Sequence, residues 1–234
     1  YHAIQIPVIL SGIEEYRRDR AQHKIFEAIY FGIIISMAFY NLFLYFSIRE
    51  KSYLYYIAYI LSYQLFQISV TGHGFQYLWP NSPSWEMLNQ PCLIPLIVLF
   101  ANPFITDFLS VKANLSRSVE VFMSVVTYIN VSLGILAFLT PNLVLSKLVV
   151  IVAAAYCGVA WIVGIVVWKK GYRPARFFTL AWTIFLWGTI IRAAARLGYI
   201  EYNYFTDNIQ QIGSVIEVLL LSFALGDKIR TRNE

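Results

Sequence analysis

The sequence predicts an all-α membrane protein with seven transmembrane helices, and three observations support this fold class. Of the 234 residues, 59% are hydrophobic and 13% are charged. In soluble domains roughly a quarter of the residues are charged. The mean hydropathy is +0.60. Seven stretches reach the length of about 20 mostly apolar residues that crosses a bilayer. A soluble core of this size cannot hide so much apolar surface, but lipid can solvate it.

The seven predicted spans follow one another with short connections. Three prolines interrupt the third span, namely Pro91, Pro95 and Pro103. Membrane helices tolerate proline where neighbouring helices and side chains satisfy the freed carbonyls, so this stretch is retained as a span. The spans cover roughly residues 25–48, 53–71, 91–110, 119–139, 143–168, 175–197 and 208–227.

Lys and Arg are unevenly distributed between alternate loops, and this predicts the orientation. Loops on one side, such as GHGFQYLWPNSPSWEMLNQ, contain no Lys or Arg, and TPNLVLSK contains only Lys147. Cytoplasmic loops carry the excess of these residues, so the C-terminus is predicted in the cytoplasm and the N-terminus outside. The basic tail Arg17, Arg18, Arg20 and Lys24 is compatible with an exported folded domain before it. The basic side carries Arg49, Lys51, Lys112, Arg117, Lys169, Lys170, Arg173, Arg176, Lys228, Arg230 and Arg232.

Aromatic residues near the ends of the predicted spans support the same boundaries, because Trp and Tyr are enriched at membrane–water interfaces. The outer boundary is predicted at Trp79, Trp85, Tyr199, Tyr202 and Tyr204. The inner boundary is predicted at Tyr53, Tyr55, Tyr56, Trp168 and Tyr172.

The predicted domain organisation has three parts. Residues 1–24 form an extracytoplasmic tail, in which HAIQIPVIL alternates like the last strand of a preceding outer domain. Residues 25–229 form the seven-helix transmembrane sensor domain. Residues 230–234 begin a cytoplasmic signalling helix.

The most informative single residue is Glu217, which lies about ten residues, or roughly 15 Å, into the last predicted helix. A carboxylate at that depth costs several kcal/mol unless it has a partner or lies in a wet cavity. The preceding helix offers Arg192 and Arg196, four residues apart and on one face. One interpretation is a buried ion pair that fixes the packing of the last two helices. Another is an outward cavity where these arginines, Gln210, Gln211 and Glu217 bind a ligand; a proton relay rests on a single carboxylate and is the weakest.

Several other classes of function are not supported by the residues. There is no GxSxG, HExxH or Walker loop, and no metal-ligand or cofactor motif, so neither catalysis nor a bound cofactor is expected in this chain. A retinal protein needs a lysine in the middle of its last helix, where this chain has none. The net charge of +5 is not organised as a nucleic-acid surface. A small-solute transporter or channel is the main alternative, and a lipid-modifying enzyme lacks a reactive cluster.

Two segments carry a specific resemblance. NLFLYFSIREKSYLYY and IGSVIEVLLLSFALGDKI, together with GYRPARFFTLAWTIFLWG, are similar to the bacterial seven-transmembrane receptors with diverse intracellular signalling modules. The similarity extends from about residue 25 to residue 230, and Glu217 matches the glutamate of the family's last-helix motif.

The resemblance implies a receptor that couples an extracytoplasmic ligand, or a ligand-binding domain, to a cytoplasmic kinase or cyclase-type effector. Neither the outer domain nor the effector is present in this sequence. It also implies a bacterial inner-membrane location, contact with lipid, a small-molecule ligand and a homodimer. Signals of this kind pass through helix shifts of about 1–2 Å.

Overall fold

The computed structural model describes residues 12–201 and 203–233, and every regular element in these ranges is helical. This confirms the predicted all-α class. The elements are α1 (Ile13–Ile48), α2 (Lys51–Val70), a π-helical turn (Gly74–Leu78), α3 (Pro83–Phe108), the four-residue α4 (Val111–Asn114), α5 (Arg117–Leu139), α6 (Leu143–Lys169), α7 (Ala175–Arg196) and α8 (Tyr204–Asn233).

Six of these helices are long and apolar enough to cross a membrane: α1, α3, α5, α6, α7 and α8. The exception is α2, whose sequence KSYLYYIAYILSYQLFQISV contains many tyrosine, serine and glutamine side chains. Its polar side chains are mostly buried inside the bundle. Tyr53 and Tyr56, predicted at a membrane boundary, are both 0% exposed. Both rings therefore face other helices rather than lipid, and their depth at the inner boundary stays a prediction.

The long helices form a closed bundle in chain order. Each packs on its neighbour, from α1 on α2 and α2 on α3 through α3 on α5, α5 on α6, α6 on α7 and α7 on α8, and α8 returns to α1. In addition, α3 contacts α6, and α2 contacts α8. As a result α2 and α3 lie at the centre of the bundle, where their buried faces meet α8 and α6.

An aromatic chain forms much of the core. Tyr56 and Phe104 have ring centroids 4.8 Å apart, and Phe104 lies 5.6 Å from Phe108. Phe108 contacts Phe178 at 6.1 Å, which in turn stacks on Trp182 at 5.1 Å. These separations are in the range in which aromatic pairs attract each other beyond their area burial. The chain of rings joins α2, α3 and α7.

The start of α8 is defined by reciprocal capping. The backbone N–H of Thr206 donates to Asn203 Oδ1 at 2.9 Å, and the N–H of Asn203 donates to Thr206 Oγ1 at 2.9 Å. Such a pair satisfies backbone donors that the first turn leaves without partners. Just before it, Gly198 ends α7 with φ of +82°, a conformation that glycine adopts without strain.

The third helix is continuous through its prolines, as predicted. Pro91, Pro95 and Pro103 all lie inside α3. Gly134 of α5 packs directly on this segment, since a Cβ there would lie 2.5 Å from Pro95 Cγ and 3.1 Å from the Pro91 carbonyl oxygen. The absence of a side chain at Gly134 therefore lets α5 approach the proline-containing part of α3.

Helix ends differ from the predicted spans at α3, which begins at Pro83 instead of residue 91, and at the two ends of the chain. The predicted tail 1–24 is helical from Ile13 and continuous with α1, while the predicted strand HAIQIPVIL lies outside the described residues. The last helix begins at Tyr204 and extends to Asn233, beyond the predicted 208–227. Both extensions are polar, and a criterion based on apolar length does not include them.

Candidate functional site

Glycines bring α7 and α8 close together. A Cβ on Gly188 would lie 3.0 Å from the Ile209 carbonyl oxygen, and one on Gly213 would lie 3.4 Å from the Ile184 carbonyl oxygen. Each helix thus places a glycine against the backbone of the other. Small residues at such positions allow close helix packing within membranes.

This close contact positions Arg192, which lies one turn beyond Gly188 on α7 and is 8% exposed. Its Nη1 donates to Gln210 Oε1 at 2.8 Å, and its Nε lies 3.7 Å from Asp207 Oδ1. Both partners lie in the first two turns of α8. The buried guanidinium therefore links α7 to the start of α8.

The predicted site residues are only partly brought together. Arg192 and Gln210 are in direct contact. Gln211 is buried, and its Oε1 has no hydrogen-bond partner within the described part of the chain. Arg196 is exposed. Glu217 lies two turns further along α8, and the hydrogen bond to its carboxyl comes from another helix.

The partner of Glu217 is a tyrosine of α2. Tyr59 Oη donates to Glu217 Oε1 at 2.7 Å, and the two residues are 4% and 1% exposed. The Tyr59 ring is held nearly parallel to that of Phe104, at 6.2 Å and an angle of 8°. A hydroxyl can donate to a carboxyl oxygen whether that carboxyl is ionised or neutral. The contact therefore satisfies Glu217 and joins α8 to the centre of the bundle.

Further hydrogen bonds on the same face of α8 join it to α1 and α2. Tyr30 Oη lies 3.2 Å from Ser214 Oγ and accepts a hydrogen bond from Gln64 Nε2 at 2.9 Å. Tyr56 Oη donates to the Val218 carbonyl oxygen at 2.7 Å. Positions 214 and 218 are four apart, so they lie one above the other on a helix face.

The same face continues to the end of α8 that lies near α3. Asn41 Nδ2 donates to Ser222 Oγ at 2.9 Å. Lys228 Nζ donates to Ser52 Oγ at 2.8 Å and lies 3.1 Å from Asp107 Oδ2. Ser52 Oγ also donates to Asp107 Oδ2. Lys228 is 8% exposed and the Asp107 side chain is 45% exposed, so this group lies at the end of the bundle with its carboxylate open to solvent.

We call this row of contacts the polar seam; it consists of Ser214, Glu217, the Val218 carbonyl, Ser222 and Lys228 of α8 with their partners Tyr30, Asn41, Ser52, Tyr56, Tyr59 and Asp107. It follows one face of α8 for about four turns. Polar side chains between membrane helices hydrogen-bond to each other because hydrocarbon offers no alternative partner. The seam therefore specifies one register of α8 against α1 and α2.

Sequence reasoning identified Glu217 but not its partners. The signal was present in α2, where Ser52, Tyr56, Tyr59 and Tyr63 recur every three or four residues. Such a stripe of hydroxyl-bearing residues on a membrane helix indicates a face turned toward other helices. Among the described residues, no group of three or more His, Cys, Asp or Glu side chains is arranged to hold a metal ion.

Comparison with curated proteins and with solved structures finds no match. Comparison with family profiles finds a match. It covers residues 23–228, which include most of α1, all of α2 to α7, most of α8 and the whole polar seam. The matched family is described as 7TM diverse intracellular signalling. The chain thus belongs to this family of membrane signalling domains.

Proposed function

We propose that the chain is a seven-span receptor domain that carries a signal from an extracytoplasmic ligand or ligand-binding domain to a cytoplasmic effector. Membership of the signalling family supports this role. Six helices that are apolar enough to span a bilayer support a multi-pass membrane protein.

The seventh span in this proposal is α2. Its 20 residues correspond to about 30 Å, which matches the hydrocarbon thickness of a bilayer. Only Arg49 and Glu50 separate it from α1, and it packs between α1 and α3. Seven crossings put the two ends of the domain on opposite sides. The excess of Lys and Arg at the α1–α2, α6–α7 and C-terminal boundaries supports an outer N-terminus and a cytoplasmic C-terminus.

The observation that carries the proposal is the polar seam. Its contacts start near the outer half of α8 at Ser214 and end at Lys228, where α8 leaves the bundle. A translation or rotation of α8 must exchange several of these hydrogen bonds together. Interfaces of this kind have discrete arrangements, so a small displacement is converted into a change of state. The seam is a suitable element for passing a signal along α8.

The remaining parts of the proposal concern assembly and location. We place the domain in the bacterial inner membrane as a homodimer, with α8 leading to an effector of the kinase or cyclase type. Many effectors of this type respond to the relative position of two helices, and α8, which continues to Asn233, provides one helix per chain. A transporter or channel would need a polar path across the bundle, and no contact described above favours one.

A distance measurement tests the proposed movement of α8. Spin labels on cysteines introduced at the exposed positions Lys51 and Gly226, with the native cysteines replaced, report the separation of α2 and α8. Lys228→Met removes the last contact of the seam, and we expect it to change the distance distribution. A pair at Lys51 and Arg117 reports α2 against α5 and is expected to stay constant. An unchanged α2–α8 distribution in Lys228→Met contradicts the proposal.

A further inference from the structure

A large cavity lies inside the bundle between α2, α3, α6 and α7. Its volume is about 470 Å³, within the roughly 300–1,000 Å³ of small-molecule sites. Its lining side chains are all uncharged. The wall nearest to the polar seam is formed by Tyr59 and Tyr63 of α2. The cavity is separate from the contacts of Arg192 with α8.

The cavity opens on the outside of the bundle between α6 and α7. Val150 and Ile190 line it and are 51% and 55% exposed, and Ala154 beside them is exposed as well. These residues belong to two of the six apolar membrane-spanning candidates. The surface around the opening is therefore in contact with lipid, and an occupant can enter from the bilayer.

On the side of the opening toward the start of α7, α6 and α7 are in direct contact. A Cβ on Gly164 would lie 2.8 Å from Phe178 Cδ1, so α6 and α7 touch there. One turn nearer the cavity, Trp161 Nε1 donates to Thr183 Oγ1 at 2.9 Å. The cavity therefore has a closed end toward the start of α7 and an open side toward the end of α7.

The lining is rich in aromatic rings. Six of the lining residues are aromatic: Tyr59, Tyr63, Phe66, Tyr156, Trp182 and Phe185. Offset-stacked and edge-to-face contacts between rings are attractive beyond the area they bury. The lining therefore favours a flat ring.

We propose that this cavity binds a flat, lipid-soluble ring compound that carries an apolar tail. The ring packs among the aromatic side chains. An apolar tail extends through the opening between α6 and α7 into lipid. Apolar cavities of this kind exclude water but take up apolar molecules.

A ligand in the cavity can act on the polar seam through Tyr59. This coupling rests on the proposed receptor function. The Tyr59 ring lines the cavity while its hydroxyl donates to Glu217 Oε1. A ligand that packs against Tyr59 favours one position of that ring. It thereby binds the two arrangements of α8 with different free energies, which is the condition for shifting their populations.

Binding of tritiated decylubiquinone to the purified chain in lipid nanodiscs tests the site directly. The specific signal is the saturable part that excess unlabelled decylubiquinone displaces, after subtraction of empty nanodiscs. We expect one site per chain. Gly158→Leu places a side chain in the cavity, where a Cβ meets nothing within 4 Å, and should abolish binding. Gly32→Leu, at an equally open position on α1, should bind like the wild type.

The possible results separate this inference from the receptor proposal. Absence of saturable binding, or full binding by Gly158→Leu, overturns the site. Equal competition by stearic acid also overturns it, since the occupant is then an acyl chain without a ring. The assay needs no effector, so a ligand that binds without altering the distance between α2 and α8 supports the site and contradicts the receptor proposal.

Discussion

Removing the hydroxyl of Tyr59 should destabilise the domain through Glu217. In Tyr59→Phe the ring can keep its parallel contact with Phe104, while the 2.7 Å hydrogen bond to Glu217 Oε1 is lost. Glu217 is 1% exposed, so water does not replace the hydroxyl without a change in packing. The substitution therefore leaves a buried carboxyl without its donor.

The magnitude follows from the type of bond and its surroundings. Hydrogen bonds to charged groups contribute about 1.5–3 kcal/mol in proteins, whereas bonds between membrane helices average about 0.6 and reach about 1.7 kcal/mol. The short distance and complete burial place this bond near the upper membrane value. We therefore expect Tyr59→Phe to lower the free energy of unfolding by about 1.5 kcal/mol.

The assay is equilibrium unfolding in mixed dodecyl maltoside and SDS micelles, followed by tryptophan fluorescence. A double-mutant cycle with Glu217→Leu isolates the pair, and we expect a coupling energy of about 1 kcal/mol. Tyr156→Phe is the matched control, because its hydroxyl is also buried but donates to Asn102 Oδ1 at 3.2 Å. The stability changes caused by Tyr156→Phe and Glu217→Leu should be additive. A Tyr59 coupling no larger than that of Tyr156 would refute the reasoning.

Three further substitutions test the contacts on either side of this pair, each in the same unfolding assay. Lys228→Met should cost about 0.5–1 kcal/mol, because the bonds to Ser52 and Asp107 are lost while the 45% exposed Asp107 can still be hydrated, and a value indistinguishable from wild type would mean that the lysine is held elsewhere. Gly188→Leu should cost about 2–3 kcal/mol, since its side chain meets the backbone of α8; a neutral result would show that α7 and α8 are further apart. Arg192→Gln should cost about 1–2 kcal/mol through its lost bonds to Gln210 and Asp207, and Asp207→Asn should then add little to it.

The number and order of the long helices were predictable because lipid imposes a simple rule. A span must be about 20 apolar residues long, and this pattern places the ends of α5, α6 and α7 within two residues of where they lie. The rule is weaker for α2, which the structure buries in the bundle and which hydropathy alone does not identify as a span. It was predicted as a span because its length fits a bilayer and because its many tyrosines count as apolar residues.

The burial of Glu217 was predictable, but its partner was not. A carboxyl among apolar residues must be satisfied, and the nearest arginines in the sequence lie on α7. Which helix faces which depends on packing: glycine contacts rotate Arg192 toward Gln210, and α2 lies across from α8 at the depth of Glu217. A neutral hydroxyl can satisfy a carboxyl as well as a cation can, so a search restricted to opposite charges does not find Tyr59.

The end of the polar seam was missed for a different reason, the distance between its residues along the sequence. Lys228 was predicted only as one of the basic residues on the cytoplasmic side. In the structure its long side chain turns back to Ser52 and Asp107, which come from α2 and α3. Contacts between residues more than a hundred positions apart have no local pattern, so they require the three-dimensional arrangement of the helices.

The most direct test of the signalling role of the polar seam is the output of an effector joined to α8. A diguanylate cyclase fused in continuous helical register after α8 reports the state of the domain in membranes. Glu217→Gln, which replaces the carboxyl by an amide of the same shape, is expected to leave the domain folded and to change cyclase output by about fivefold, as a shift of ~1 kcal/mol does. Tyr128→Phe, at a 64% exposed position of α5, should match the wild type. Equal output from Glu217→Gln and wild type, at equal membrane abundance, would contradict the account.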